Sequence, residues 1–132
     1  MRDKVAVLGV AAEDVAVRSM GVDLETMFTP GDDADREGLV FVGRLVDVKG
    51  VPVLVDAMAQ LVDERPDLTL TVIGDGPERH SIEDRVSALG LQKRIRIQGS
   101  LSHDEIVPAL RAARVFVMPS VVTAEGAEEG FG

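Results

Sequence analysis

The sequence predicts an α/β fold with a doubly wound parallel sheet, and three features of its 132 residues indicate it. Short apolar runs alternate with longer segments in which apolar residues recur every three or four positions. The apolar runs are largely continuous, which is typical of strands buried on both faces of a sheet. The chain contains four Phe and no Trp or Tyr, so its core must be aliphatic. Strands and helices that alternate in this way form right-handed crossovers between parallel strands.

Four segments are predicted strands. Residues 39–42 and 68–73 are rich in apolar residues and run into glycines. Residues 94–98 alternate apolar and polar side chains, so this strand is expected nearer an edge of the sheet. Residues 115–118 form another apolar run. The order of elements is therefore strand, helix, strand, helix, strand, helix, strand.

Three helices are predicted between these strands. The first opens with Pro52 in its first turn, where the missing N–H costs no hydrogen bond, and ends before Pro66. The second covers about 77–90 and ends at a glycine. The third begins at Ser102, whose spacing from Glu105 is that of a capping box.

The charge of the chain limits its partners. Its net charge is −9, from 23 acidic and 14 basic residues. Such a chain repels phosphate unless cations are concentrated locally, which argues against nucleic acid and anionic membranes as partners. The absence of cysteine fits a reducing compartment. No signal peptide or bilayer-spanning apolar run is found, so we expect a cytoplasmic protein, peripheral to the membrane at most.

The segment 41–50 has the layout of an anion site. The first strand runs into Gly43 and Arg44, and Lys49 and Gly50 follow five residues later. Glycines at the end of a strand let the backbone approach a ligand. A guanidinium and an ammonium beside them provide the positive charge that suits a diphosphate. The alternative for this segment is a charged loop on a solvated surface.

Other strand ends favour the anion site. Parallel strands bring their carboxyl ends to one rim, and ligands of such sheets bind there. Glycines and polar residues follow each of the remaining strands: Gly74, Asp75, Gly76, Gln98, Gly99 and Ser120.

Together these motifs resemble the retaining glycosyltransferases of family 4, which have the GT-B fold, and specifically their C-terminal nucleotide-sugar-binding domain. The resemblance covers 21–132, and 1–20 resemble the tail of a preceding domain and the crossover from it. The final Glu129-Gly130-Phe131-Gly132 resembles the start of the family's two glutamates, which are separated by seven residues. The second glutamate is absent, so the resemblance implies a Rossmann-like domain truncated at its C-terminal end, without its N-terminal acceptor domain and inactive alone.

The resemblance implies a function. A hexose passes from a nucleoside diphosphate sugar, with UDP or GDP as the nucleotide, to a hydroxyl acceptor in glycan, glycolipid or polysaccharide synthesis. Arg44 and Lys49 stabilise the leaving diphosphate without a metal or other cofactor, and Glu129 orients the donor sugar. The remaining donor-binding residues that the resemblance implies are Gly43, Gly74, Asp75, Gly76, Gln98, Leu101, Ser120, Gly130, Phe131 and Gly132.

Two other classes of protein remain open. One is a non-catalytic nucleotide-binding module, which explains the sheet but not Arg44, Lys49 and Glu129 together. The other is a GT-B relative, such as a sugar-nucleotide epimerase or a phosphorylase, which shares the ligand but differs in reaction. Asp33 and Asp35 resemble a metal-binding pair, but they precede the first strand and so lie at the opposite end of the sheet.

Two structural expectations follow. Residues 129–132 end the chain and should be poorly positioned, because chain ends fray unless they are docked. The resemblance also implies that 68–73 and 94–98 lie on one side of 39–42, with 115–118 on the other. The 115–118 strand would then have an unpaired apolar edge, so we expect self-association through it unless residues 1–18 cover it.

Overall fold

The computed structural model describes residues 8–16 and 36–129. It contains a parallel sheet and three helices. The strands are β1 (Glu37–Val42), β2 (Leu70–Ile73), β3 (Ile95–Ile97) and β4 (Ala113–Phe116). The helices are α1 (Val51–Leu61), α2 (Arg79–Ala88) and α3 (His103–Ala112). Two short 3-10 turns, Ala12–Asp14 and Asp47–Lys49, complete the described elements.

The strand order confirms the predicted topology. The order is β3-β2-β1-β4, and every pair is parallel. Leu39 of β1 lies opposite Leu70 of β2 on one side and Val115 of β4 on the other. The chain therefore moves outward from β1 to β3 and then returns to place β4 beside β1. The direction of winding reverses between β1 and β4, which is the position where such sheets bind ligands.

The main core lies between one face of the sheet and helices α1 and α2, which contact each other. Its buried side chains are aliphatic apart from one phenylalanine and one methionine: Phe41, Leu45, Val51, Leu54, Val55, Met58, Leu70, Val72, Ile82, Val86, Leu91 and Ile95. Val40 and Ile73 alternate with these along their strands and are also buried, so they belong to the opposite face. Helix α3 contacts β1 and β4. The sheet is therefore covered on two faces, as a doubly wound sheet requires.

The start of β4 differs from the prediction. The fourth strand was expected at 115–118, but it covers Ala113–Phe116, and Val117 still donates a backbone hydrogen bond of 2.8 Å to Val40. The difference arises because α3 runs into β4 without a loop, with Ala113 already extended at the end of the helix. No glycine or proline marks that junction in the sequence.

The beginning of α3 is as predicted. Ser102 and Glu105 form a capping box, in which Glu105 Oε2 accepts hydrogen bonds from the backbone N (2.9 Å) and the Oγ (2.7 Å) of Ser102. These hydrogen bonds lower the pKa of the Glu105 carboxyl. The box holds the first turn of α3 directly after the loop that follows β3.

The boundary predicted at residue 20 lies outside the described residues and stays a prediction, as does the placement of Asp33 and Asp35. None of the helices in 8–16 and 36–129 has the length and apolarity needed to cross a membrane.

Candidate functional site

The loops at the carboxyl ends of β1, β2 and β3 are joined by backbone hydrogen bonds. Gly43 N donates to Ile73 O at 2.9 Å, and Leu45 N donates to Asp75 O at 2.9 Å. Gly74 N in turn donates to Gly99 O at 2.7 Å. The three loops therefore form one continuous layer of backbone at the rim, as their positions after parallel strands predicted.

Two glycines of this layer are required by close packing of the backbone. A Cβ at Gly74 would collide with the carbonyl oxygen of Gly43, and the φ angle of Gly74 is 143°. A Cβ at Gly76 would collide with the carbonyl oxygen of Leu45. These glycines let the second loop lie against the first, and this role needs no contact with a ligand.

The loop after β4 joins the same rim from the other side of β1. Val121 N donates to Val48 O at 2.9 Å, next to Lys49. A Cβ at Gly50 would collide with the carbonyl oxygen of Pro119. The loop that carries Ser120 therefore packs on the turn that carries Lys49, at the reversal point of the sheet.

A cleft of about 180 Å³ opens at this rim, on the face of the sheet that carries α3. Five of the predicted donor-binding residues line it: Gly43, Arg44, Gly74, Asp75 and Leu101. Ser100 and Ile106 also line it and were not predicted, since a serine and an isoleucine in a loop and a helix carry no distinctive signal. Neither Gln98 nor Ser120 is among its described lining residues, although the side chains of both are exposed at the rim.

Arg44 provides an available cation at the cleft. Its side chain is exposed, and within 8–16 and 36–129 it makes no ion pair. The backbone of its neighbour Leu45 is fixed on both sides, by Asp75 and by Glu78. The loop thus holds a guanidinium that forms no ion pair with another described side chain. Such a guanidinium is suited to bind an anion.

Lys49 lies beside Gly43, which lines the cleft, but the Lys49 ammonium forms an ion pair with Glu129. Its Cε is 3.9 Å from the position that a Cβ on Gly43 would take. Its Nζ forms an ion pair with Glu129 Oε2, and the two side chains are only 17% and 23% exposed. The expectation that the end of the chain is poorly positioned is therefore wrong for Glu129. Gly130, Phe131 and Gly132 lie outside the described residues.

A tight turn explains how Glu129 reaches Lys49. Thr123 N donates to Ala127 O at 2.9 Å, and Gly126 N donates to Thr123 O at 2.9 Å. The Thr123 hydroxyl accepts a third hydrogen bond, from Ala127 N at 3.1 Å. Gly126 has a φ angle of 78°, a conformation that favours glycine. Because the segment starts at Val121, held on the turn of Lys49, this reversal brings Glu129 back to that turn.

Asp75 is engaged within its own loop. Its Oδ1 accepts a hydrogen bond of 2.7 Å from Gly76 N, and its Oδ2 lies 3.2 Å from Arg79 Nη1. Arg79 also donates from Nε to Glu83 at 2.9 Å. Although Asp75 lines the cleft, its carboxylate is therefore offset by Arg79, and it holds the second loop in place.

The carboxyl groups of Glu78 and Asp47 lie close together, and no pattern in the sequence predicts this pair. The Glu78 side chain is half-buried, and its Oε2 is a buried atom with no hydrogen-bond partner among the described residues. Burial raises the pKa of Glu78, and the neighbouring Asp47 carboxyl raises it further. Glu78 N donates to Leu45 O at 3.1 Å, and this backbone hydrogen bond joins the start of α2 to the loop that carries Arg44.

Known proteins resemble this chain in sequence and in structure. It is 43% identical over 81 residues to 2-deoxystreptamine glucosyltransferase from Streptomyces kanamyceticus, an alignment that covers 61% of this chain and 21% of that protein. The chain thus spans about a fifth of the length of that curated relative.

Two solved structures share its fold. The C-terminal domain of the glycosyl transferase group 1 family protein LpcC from Francisella tularensis matches with a TM-score of 0.64 and 28% identity, over 76% of this chain and 59% of that one. Anabaena Alr3699/HepE, solved in complex with UDP and glucose, matches with a TM-score of 0.56 and 25% identity, over 67% and 24%. The structural neighbours are C-terminal domains of GT-B glycosyltransferases.

The family assignment rests on most of the sequence. Residues 24–132 match the family described as glycosyl transferases group 1, which includes every described residue from β1 to Glu129. The chain therefore belongs to the glycosyl transferases group 1 family.

Proposed function

We propose that this chain is the donor-binding part of a retaining glycosyltransferase of family 4, which transfers a hexose from a nucleoside diphosphate sugar to a hydroxyl acceptor. The observation that carries the proposal is the cleft lined by Gly43 and Arg44 at the reversal point of the sheet, with Lys49 Cε 3.9 Å from the position of a Cβ on Gly43. A glycine beside two cationic residues lets a diphosphate approach the backbone within reach of their side chains.

The proposed chemistry is electrostatic. When the bond between the anomeric carbon and the phosphate oxygen breaks, negative charge builds on the distal phosphate of the leaving nucleoside diphosphate. Arg44 and Lys49 stabilise that charge, and they do so from a backbone layer that is already fixed by hydrogen bonds. Once the diphosphate is bound, cations on a fixed backbone lower the barrier because that backbone needs no rearrangement as the charge develops.

Two relatives support the substrate class. The Streptomyces relative is named as a glucosyltransferase, and the Anabaena structure contains UDP and glucose. We therefore propose UDP ahead of GDP as the nucleotide and a hexose as the transferred sugar. An acceptor-binding domain is proposed as the partner that completes the enzyme, so the chain alone should bind donor without turning it over.

Calorimetric titration of the chain with UDP, GDP, ADP and inorganic phosphate tests the proposal. We expect UDP to bind, and we expect Arg44→Ala to weaken that binding. Binding of inorganic phosphate without any nucleotide would indicate a phosphorylase. Failure of every nucleotide to bind would contradict the donor-binding role.

A further inference from the structure

The ion pair between Lys49 and Glu129 places a carboxylate where the proposed function needs a phosphate. Both side chains are largely buried, and Glu129 Oε2 is fully buried at its contact with Nζ. The ammonium therefore has little surface left for a second anion. A phosphate that binds Lys49 has to take the place of this carboxylate.

The position of Glu129 is built into the loop. The turn around Gly126 is closed by two hydrogen bonds to the backbone of Thr123 and Ala127 and by one to the Thr123 hydroxyl. The loop is anchored beside Lys49 by the hydrogen bond from Val121 N to Val48 O. The carboxylate is thus delivered by a short preformed loop, and little conformational entropy is lost when it meets the ammonium.

Arg44 and Lys49 consequently differ in how readily each can bind a phosphate. Arg44 is exposed and has no ion pair among the described residues, whereas Lys49 forms an ion pair with Glu129. A diphosphate can contact Arg44 at once, but its contact with Lys49 costs an existing ion pair. That cost lowers the affinity of any phosphate ligand by the free energy of the pair.

We infer that Glu129 competes with phosphate for the Lys49 ammonium and so sets the affinity of the site for nucleoside diphosphate. This inference rests on the proposed function for its ligand and concerns regulation of the same site. Binding exchanges a carboxylate for a phosphate on the ammonium, and loss of the nucleotide returns the carboxylate. The carboxylate thereby favours release of the nucleoside diphosphate.

A double-mutant cycle tests the competition. UDP and inorganic pyrophosphate are titrated into the wild-type chain, Glu129→Gln, Lys49→Met and the double variant, with Glu125→Gln as the matched control. Gln keeps the shape of Glu129 without its charge, and Met retains much of the Lys49 stem beside Gly43. Glu125 is exposed in the same loop and carries the same charge without a contact to Lys49.

We expect Glu129→Gln to tighten binding of both ligands about tenfold, the scale of a partly buried ion pair. Glu125→Gln should change it less than about twofold, because its charge is solvated. In the Lys49→Met background, Glu129→Gln should also change binding less than about twofold, since no ammonium remains to compete for.

The other outcomes overturn the inference or the proposed function separately. An equal gain in both backgrounds would show simple repulsion by Glu129, and no gain with Lys49 present would show no competition; either result overturns the inference. If pyrophosphate shows the expected changes in affinity but UDP does not bind, the proposed function is contradicted and the inference about Glu129 stands. Failure of both ligands to bind to every variant would overturn both.

Discussion

The α-carbon of Gly50 lies against the carbonyl oxygen of Pro119, so closely that a Cβ at Gly50 would collide with it. This contact joins the turn that carries Lys49 to the loop after β4. Gly50 also has a φ angle of 64° and ends the 3-10 turn just before α1. Two separate requirements, a left-handed backbone and the absence of a side chain, therefore meet at one residue.

Gly50→Ala should destabilise the chain by about 3 kcal/mol or more, because backbone strain of about 1–2 kcal/mol adds to a collision with a rigid carbonyl. Gly90→Ala is the matched control, since Gly90 has a φ angle of 70° but no atom within 4 Å of its would-be Cβ. It should cost only about 1–2 kcal/mol. Urea unfolding of both variants measures the difference. Equal losses would show that the contact with Pro119 does not contribute.

The apolar runs predicted where the strands form, and the family resemblance predicted their order, but the run at 115–118 forms a strand that is largely exposed because it lies at an edge of the described sheet. The parallel pairing and the edge position of β3 agree with the sequence pattern, and the order of strands agrees with the resemblance. The start of β4 was wrong because a helix that enters a strand without a loop leaves no glycine or proline to read. The spacing of apolar residues predicts whether a helix or a strand forms. The boundary of that element depends on the tertiary contacts of residues such as Ala113.

The candidate site was only partly predictable. Parallel strands bring Gly43, Arg44 and Gly74 to one rim, and that follows from topology alone. The pairing of Lys49 with Glu129 does not, because it depends on a turn near the end of the chain that reverses its direction. Lys49 and Glu129 were each predicted as site residues, but their contact with each other requires the packed structure.

Arg44→Ala should weaken UDP binding by about tenfold to about a hundredfold, the range for loss of a charge-assisted hydrogen bond. Its stability should change by less than about 0.5 kcal/mol, because the side chain is exposed and makes no ion pair among the described residues. Arg96→Ala removes the same charge from the exposed surface of β3 and serves as the control. Calorimetry and urea unfolding supply both measurements. UDP binding that is equally weak in the two variants would show a general charge effect.

Glu78→Gln should remove a pH dependence of stability. Burial and the neighbouring Asp47 hold the pKa of Glu78 above its ordinary value of 4.5. The native state therefore keeps the Glu78 proton at pH values where the unfolded chain has lost it. The stability that the protonated carboxyl contributes is complete below the ordinary pKa and is lost as the pH rises through the raised pKa. Gln imitates the protonated carboxyl and should stay stable over that range.

Urea unfolding between about pH 4 and about pH 8 checks this prediction. The advantage of Glu78→Gln over the wild-type chain should grow as the pH rises. Glu64→Gln removes the same charge from an exposed position and should leave the wild-type pH dependence in place. An advantage that does not change with pH would show that the folded state does not raise the pKa of Glu78.

The β4 strand has an exposed edge in the described part of the chain. It pairs with β1 on one side, and no other described strand lies on its second side. Val115 and Phe116 are each 48% exposed on it. An unpaired row of backbone donors and acceptors next to apolar side chains is a template for pairing with another chain.

We therefore expect the chain to self-associate through β4 and Val115→Lys to suppress that association. A lysine on an edge strand opposes pairing because a second strand would bury its charge. Val53→Lys is the matched control, since Val53 is 54% exposed on α1 and lies on no strand edge. In sedimentation velocity over a concentration series, the wild-type chain and Val53→Lys should sediment faster as concentration rises, whereas Val115→Lys should remain monomeric. A wild-type chain that stays monomeric at the highest concentration would contradict the prediction, because the exposed edge would then not drive pairing by itself.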